Sequence, residues 1–116
     1  AVFSKLRRGG YDLEYELDLH QKTVKEAQQA VFQLFQKART KNWRCVLISH
    51  GKGERSTTPG RLKSYVARWL IDHPDVIAYC SAQRNRGGVG SVYVLIRKSV
   101  AGKAANRERF GLKGEP

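Results

Sequence analysis

The sequence predicts an α/β fold: a two-layer βαβαββ sandwich with a mostly parallel four-stranded sheet, an antiparallel last strand, and helices on one face. Three observations predict it. Residues 13–21, "LEYELDLHQ", set Leu13, Tyr15, Leu17 and Leu19 against Glu14, Glu16, Asp18 and His20, the alternation of a strand with one buried and one polar face. Two amphipathic segments separate the first three strand-like runs, which implies parallel strands joined by right-handed crossovers. Only the stretch "QRNRGGVG" joins the last two runs, so the fourth strand turns back against the third. The polar side of the first strand leaves one sheet face free of helices.

Taken in order, residues 1–12 carry Lys5, Arg7, Arg8 and a glycine pair and read as a basic arm. The domain proper spans 13–98, and its first strand covers Leu13–His20. Thr23 and Glu26 then form a capping box, after which Val24, Ala27, Val31, Leu34, Phe35 and Ala38 recur at helical spacing. Lys37, Arg39 and Lys41 sit where the helix dipole favours cations. "WRCVLISH" (43–50) is more uniformly apolar, as expected of a central strand. Past the polar loop "GKGERSTTPG", Thr58 and Pro59 signal a helix start. Leu62, Val66, Trp69 and Leu70 trace its stripe, and "DHPD" stops it, with His73 in a capping role. "VIAYCSA" and "SVYVLIRK" are the last two strands. Residues 99–116 are polar and basic, a tail or short helix.

With 116 residues the chain suffices for one domain. Met is absent even at position 1, as expected of a piece of a longer chain. Lys and Arg number 22 against 10 Asp and Glu, a net charge of +12 that points to a polyanionic partner, above all nucleic acid. No apolar run approaches the ~18 residues of a membrane span. Cys45 and Cys80 have no metal-ligand spacing and read as buried reduced thiols of a cytoplasmic protein.

Parallel strands bring their carboxyl ends to one edge, where open α/β sheets bind ligands. Asp18 and His20 end the first strand, and His50, Gly51, Lys52 and Gly53 follow the second. Two imidazoles at a phosphodiester can divide the tasks of general base and general acid. Asp18 is placed to orient an imidazole or to hold a divalent cation. Gly51 and Gly53 offer backbone amides to a phosphate, with Lys52 as counter-charge. After the third strand, Arg84 and Arg86 supply bidentate phosphate donors, and Gly87, Gly88 and Gly90 allow close backbone approach. Arg55, Arg61 and Lys63 extend the basic track. Glu14 and Glu16 are expected to pair with arginines such as Arg44 or Arg97. Base-stacking aromatics are few: Tyr11 is a candidate, whereas Phe35, Trp43 and Trp69 read as core. Recognition of backbone and shape should therefore dominate.

The strings "LDLHQ" (17–21), "HGKG" (50–53) and "GGVGSVYVLI" (87–96), with "LRRG" at 6–9, closely resemble the Smr (small MutS-related) domain over roughly residues 8–98. Among bacterial members the chain looks like the stand-alone Smr proteins. The resemblance implies a βαβαββ sandwich and a nuclease that nicks DNA in some relatives and cleaves messenger RNA on collided ribosomes in others. It assigns Asp18 and His20 to the family's D-L-H, His50 to Gly53 to its H-G-K-G, and Gly87, Gly88 and Gly90 to its glycine-rich turn. Where the family has glycine after D-L-H, this chain has Gln21.

Two functions follow as expectations. In the first, an endonuclease cuts DNA or RNA with Asp18, His20 and His50, the ribosome being a second polyanion for its charge. RNA cleavage through the ribose 2′-hydroxyl needs no metal, whereas DNA hydrolysis calls for an activated water and Mg²⁺ or another divalent cation near Asp18. In the second, the chain binds nucleic acid or the ribosome without cutting. The sequence leaves the oligomeric state open.

Overall fold

A computed structural model describes residues 2–51 and 61–98. Its elements are helix α1 (Val2–Arg7), strand β1 (Tyr15–Asp18), helix α2 (Val24–Lys41), strand β2 (Cys45–Ser49), helix α3 (Arg61–Asp72), strand β3 (Val76–Ser81) and strand β4 (Ser91–Ile96). Two 3₁₀ turns, Arg84–Arg86 and Gly88–Gly90, bridge β3 to β4. Lys52, Gly53, Arg55, Thr58, Pro59 and the expected tail at 99–116 lie outside the described residues.

The sheet order is β1-β2-β4-β3. β1 and β2 pair in parallel, with Asp18 opposite Ser49. β4 is antiparallel to both β2 and β3, so three of the four strands run one way, as expected. The unexpected feature is where β4 goes: it inserts between β2 and β3, the strands that α3 connects. Its six residues are accordingly all buried.

The predicted capping box is present. Glu26 N–H donates to Thr23 Oγ1 at 3.1 Å, and Thr23 N–H donates to Glu26 Oε1 at 2.9 Å. Ala27, Val31, Leu34, Phe35 and Ala38 of α2 pack with Val66 and Leu70 of α3 onto Val46, Ile48, Val92 and Val94 of the sheet. Burying each larger side chain of this kind contributes about 1.5–3 kcal/mol.

The two crossover helices thus share one face, and a second, smaller layer covers part of the other. Residues expected to form an arm contain α1, whose Leu6 is 1% exposed among Cys45, Leu47, Tyr93 and Leu95. The glycine pair ends this helix: Gly10 N–H reaches Lys5 O at 2.9 Å and Gly9 N–H reaches Leu6 O at 3.0 Å, with Gly9 at φ 71°. This is the Schellman arrangement, which favours glycine. The polar face of β1 is a poor guide here because β1 is an edge strand, whereas central β2 and β4 present apolar residues on both faces. Leu13, ahead of the strand, packs with this second layer.

Candidate active site

The carboxyl ends of β1 and β2 meet as the topology requires. Leu19 N–H donates to Ser49 O at 2.7 Å, and Leu19 is fully buried between exposed Asp18 and His20. One buried leucine therefore anchors a turn that holds two polar residues at the rim. Asp18 Oδ1 accepts from the main-chain N–H of His20 at 2.8 Å. The carboxylate thus fixes the backbone of the turn, as aspartates at such positions commonly do; it does not orient an imidazole ring. Directly after His20, Gln21 has φ 64°, a left-handed conformation.

His50 continues β2 on the face covered by α2 and α3, in step with Val46 and Ile48. It is 8% exposed. Its main-chain N–H and that of Gly51 both donate to Gly90 O at 3.0 Å, which ties the end of β2 to the second 3₁₀ turn. The Gly51 amide is therefore occupied, and it does not offer itself to a phosphate as expected. His50 Nδ1 lies 2.7 Å from Gly51 O. A carbonyl oxygen only accepts, so Nδ1 carries the proton and Nε2 keeps its lone pair. Burial pushes the imidazole pKa below its ordinary range, and the Lys63 cation acts in the same direction, while the bond to Gly51 O opposes them. The ring is neutral near neutral pH, the state a general base requires.

The glycine turn is built around one contact. Gly87 has φ 107°, and a Cβ there would lie 2.2 Å from Ser91 Oγ. That hydroxyl is 2.8 Å from Ser49 Oγ, linking β4 to β2 beside His50. Ser49 neighbours His50 in the sequence but faces the other way along β2, which argues against a Ser-His nucleophile pair, and its link to Ser91 carries no sequence signal. Arg86 reaches back to Glu16 of β1 at 3.7 Å, and both side chains are more than half exposed. A phosphate can displace so weak a surface pair. Arg84 is exposed on the same turn, and Arg61 lies over the Tyr65 ring at 5.7 Å.

Asp18, His20, His50, Gly51, Gly87, Gly88 and Gly90 thus lie at one edge, but Asp18 alternates with Leu17 and Leu19 onto the opposite face from His50, and no hydrogen bond joins the side chains of Asp18, His20 and His50. The other acids serve the scaffold. Glu14 accepts from the main-chain N–H of Arg44 at 2.6 Å and not from its guanidinium, while Arg97 pairs with Asp75. His73 stacks on Phe35 at 4.0 Å and accepts from Asp75 N–H at 3.1 Å, closing the turn after α3. Both cysteines are free thiols; burial raises both, Cys45 to about 11.

Among the described residues no group of three or more His, Cys, Asp or Glu could hold a metal ion. Asp18 therefore lacks the companion donors that a protein-built cation site needs among the described residues. No helix among the described residues is long and apolar enough to cross a membrane.

The Smr domain model matches residues 17–97. Probable DNA endonuclease SmrA of Escherichia coli (strain K12) is 42% identical over 110 residues, which cover 94% of this chain and 59% of that protein. Ribosome rescue factor SmrB of Tolumonas auensis is 35% identical over 96 residues, 83% of this chain and 52% of its own. The chain therefore spans just over half the length of these curated relatives. The crystal structure of YdaL, a stand-alone small MutS-related protein from Escherichia coli, superposes with a TM-score of 0.74 at 42% identity, over 84% of this chain and 76% of that one. The Smr domain of Thermus thermophilus MutS2 gives 0.64 at 30% identity, over 72% and 98%. Sequence match and superposition agree, and the chain belongs to the Smr domain family.

Proposed function

We propose that the chain is an endonuclease that cleaves phosphodiester bonds of DNA or RNA at the carboxyl edge of its sheet. The observation that carries this reading is His50: a buried, neutral imidazole whose proton is fixed on Nδ1 and whose Nε2 is left as the base. Nε2 takes a proton from the attacking oxygen, the ribose 2′-hydroxyl in RNA or a water in DNA. His20, exposed on the neighbouring strand end, protonates the leaving oxygen. Asp18 acts as a positioning residue by holding the main chain of the His20 turn. Lys63, Arg84 and Arg86 neutralise phosphates. The names of the relatives, a probable DNA endonuclease and a ribosome rescue factor, support cutting over binding alone. They also support ribosome docking as a second use of the +12 charge.

The test compares wild type with His20→Ala and His50→Ala on matched DNA and RNA strands, with and without EDTA. The expected result is cleavage by the wild type, lost in both variants while filter binding is kept. A 2′-deoxy substitution at the cut site abolishes the 2′-hydroxyl route and leaves the water route intact. Binding with no cleavage by wild type on any strand would refute the proposal.

A further inference from the structure

A cavity of about 240 Å³ opens beside His50, between α3 and the β3–β4 pair. Its floor is apolar, made by Val66 and Leu70 of α3 with Val92 of β4. Tyr79 supplies an aromatic wall, and Ser81 and Ser91 place hydroxyls at the ends of β3 and β4. His50 and Lys63 complete the lining. The proposed cutting chemistry uses only those last two residues, so the apolar space has no assigned role.

We propose that this cavity is a nucleobase pocket, and that the enzyme therefore cuts strands whose base next to the scissile phosphate is unstacked. This rests on the reading of His50 as the base at a phosphodiester. Size favours such a ligand: an apolar cavity of about 150 Å³ takes up benzene, and this one is larger. The chemistry of the wall favours it too. An apolar floor with a few converging polar groups is the usual build of a small-ligand site, and Tyr79 offers a ring on which a base can stack. Charge decides the kind of ligand. Lys63 at the cavity and Arg84 on the turn that follows β3 draw a phosphate to the rim, in a chain of net charge +12. A base enters while its phosphate stays beside His50. Bases stacked inside a continuous duplex cannot reach such a cavity without being extruded, which costs a few kcal/mol. Single strands, loops and extruded nucleotides are the substrates that fit.

Ala67 lines the same space from α3 and is half-buried, so Ala67→Phe fills the cavity while keeping the His50 side chain in the sequence. The full chain is mixed with single strands of DNA and of RNA carrying 2-aminopurine, and both emission and affinity are read. The expected outcome for wild type is an emission change on binding, which Ala67→Phe abolishes together with a loss of roughly tenfold in affinity, in line with one base stacked on an aromatic ring. Equal emission and affinity in the two proteins would overturn the pocket, whatever the cutting assay gives. In the cutting assay, abasic units are walked along an end-labelled strand. One position beside the cut should slow wild type about tenfold, the same stacking contribution, and the penalty should vanish in Ala67→Phe. An abasic profile identical in both proteins, or duplex cut as fast as single strand, sinks the inference. Ala67→Leu replaces the phenylalanine variant if circular dichroism shows the latter unfolded. Absence of cleavage by wild type refutes the endonuclease and leaves the fluorescence result to judge the pocket.

Discussion

At the amino-terminal edge of the sheet, Asp75 is gripped by Arg39 and Arg97 at 2.9 Å each, and Arg44 Nε donates to Ile96 O at 2.7 Å. Tyr15 stacks on Trp43 at 4.6 Å in the same region. At the carboxyl edge, the side chains of Asp18 and His50 bond only to main chain one or two residues away. Left-handed backbone concentrates there as well: Gln21, Gly51, Gly87 and Gly88 take positive φ, against Asn42 alone at the amino edge. One edge is stapled by short charged side-chain pairs between elements, and the other is tied mainly through main-chain bonds to Gly90 and Ser49 and a serine pair, with tight turns that present polar groups. The lesson is a division of labour. Strained turns persist where the rest of the structure over-determines them, and the staples at the far edge help to do so.

The comparison can be broken most severely at His50. His50→Ala should lower cleavage about 100-fold or more, the usual worth of a general base, with the thermal midpoint little changed. Gly87→Ala comes next. Its Cβ would collide with Ser91 Oγ in a backbone region that costs about 1–3 kcal/mol, so urea denaturation should show at least that loss, and cleavage should fall with it.

Asp75→Asn tests the stapled edge. Removing the charge from two hydrogen-bonded ion pairs should cost about 2 kcal/mol, with cleavage per folded molecule unchanged. The guanidinium of Arg39 above all, and that of Arg97, hold the Asp75 carboxyl below the usual carboxylate range. The stabilisation is therefore complete above about pH 4, the ordinary aspartate value, and is lost as pH falls below it. Melting curves of wild type and variant should converge on acidification.

Smaller effects sharpen the contrast. Lys63 helps to depress His50, so Lys63→Met should move the acid limb of the cleavage profile to higher pH, toward about 6.5. Gln21→Gly should relieve a left-handed residue and stabilise the chain by up to about 1 kcal/mol, read as a rise of a few degrees in the thermal midpoint.

Much of this was legible from the residues. The Thr23–Glu26 box and the stripes of α2 and α3 appear where periodicity puts them, because local propensity and burial there agree. The edge carrying Asp18, His20 and His50 followed from β-α-β topology alone. What escaped was strand order and partner choice. Nothing in "SVYVLI" says that it inserts between β2 and β3, since an all-apolar strand fits any central position. Leu6 and the glycine pair at 9–10 carried a readable helix-end signal, but α1 has only six residues. Asp75 looked like loop punctuation because its partners are 36 and 22 residues away. The capture of the Gly51 amide by Gly90 depends on that same insertion of β4.

The position of β4 has a consequence for how the chain comes into being. Synthesis delivers β1, α2, β2, α3 and β3 before the strand that belongs in the middle of them. Until it arrives, β2 and β3 lack their shared neighbour, and the His50 and Gly51 amides lack the Gly90 carbonyl. The proposed cutting centre is completed only when β4 is in place, so a chain without β4 lacks it.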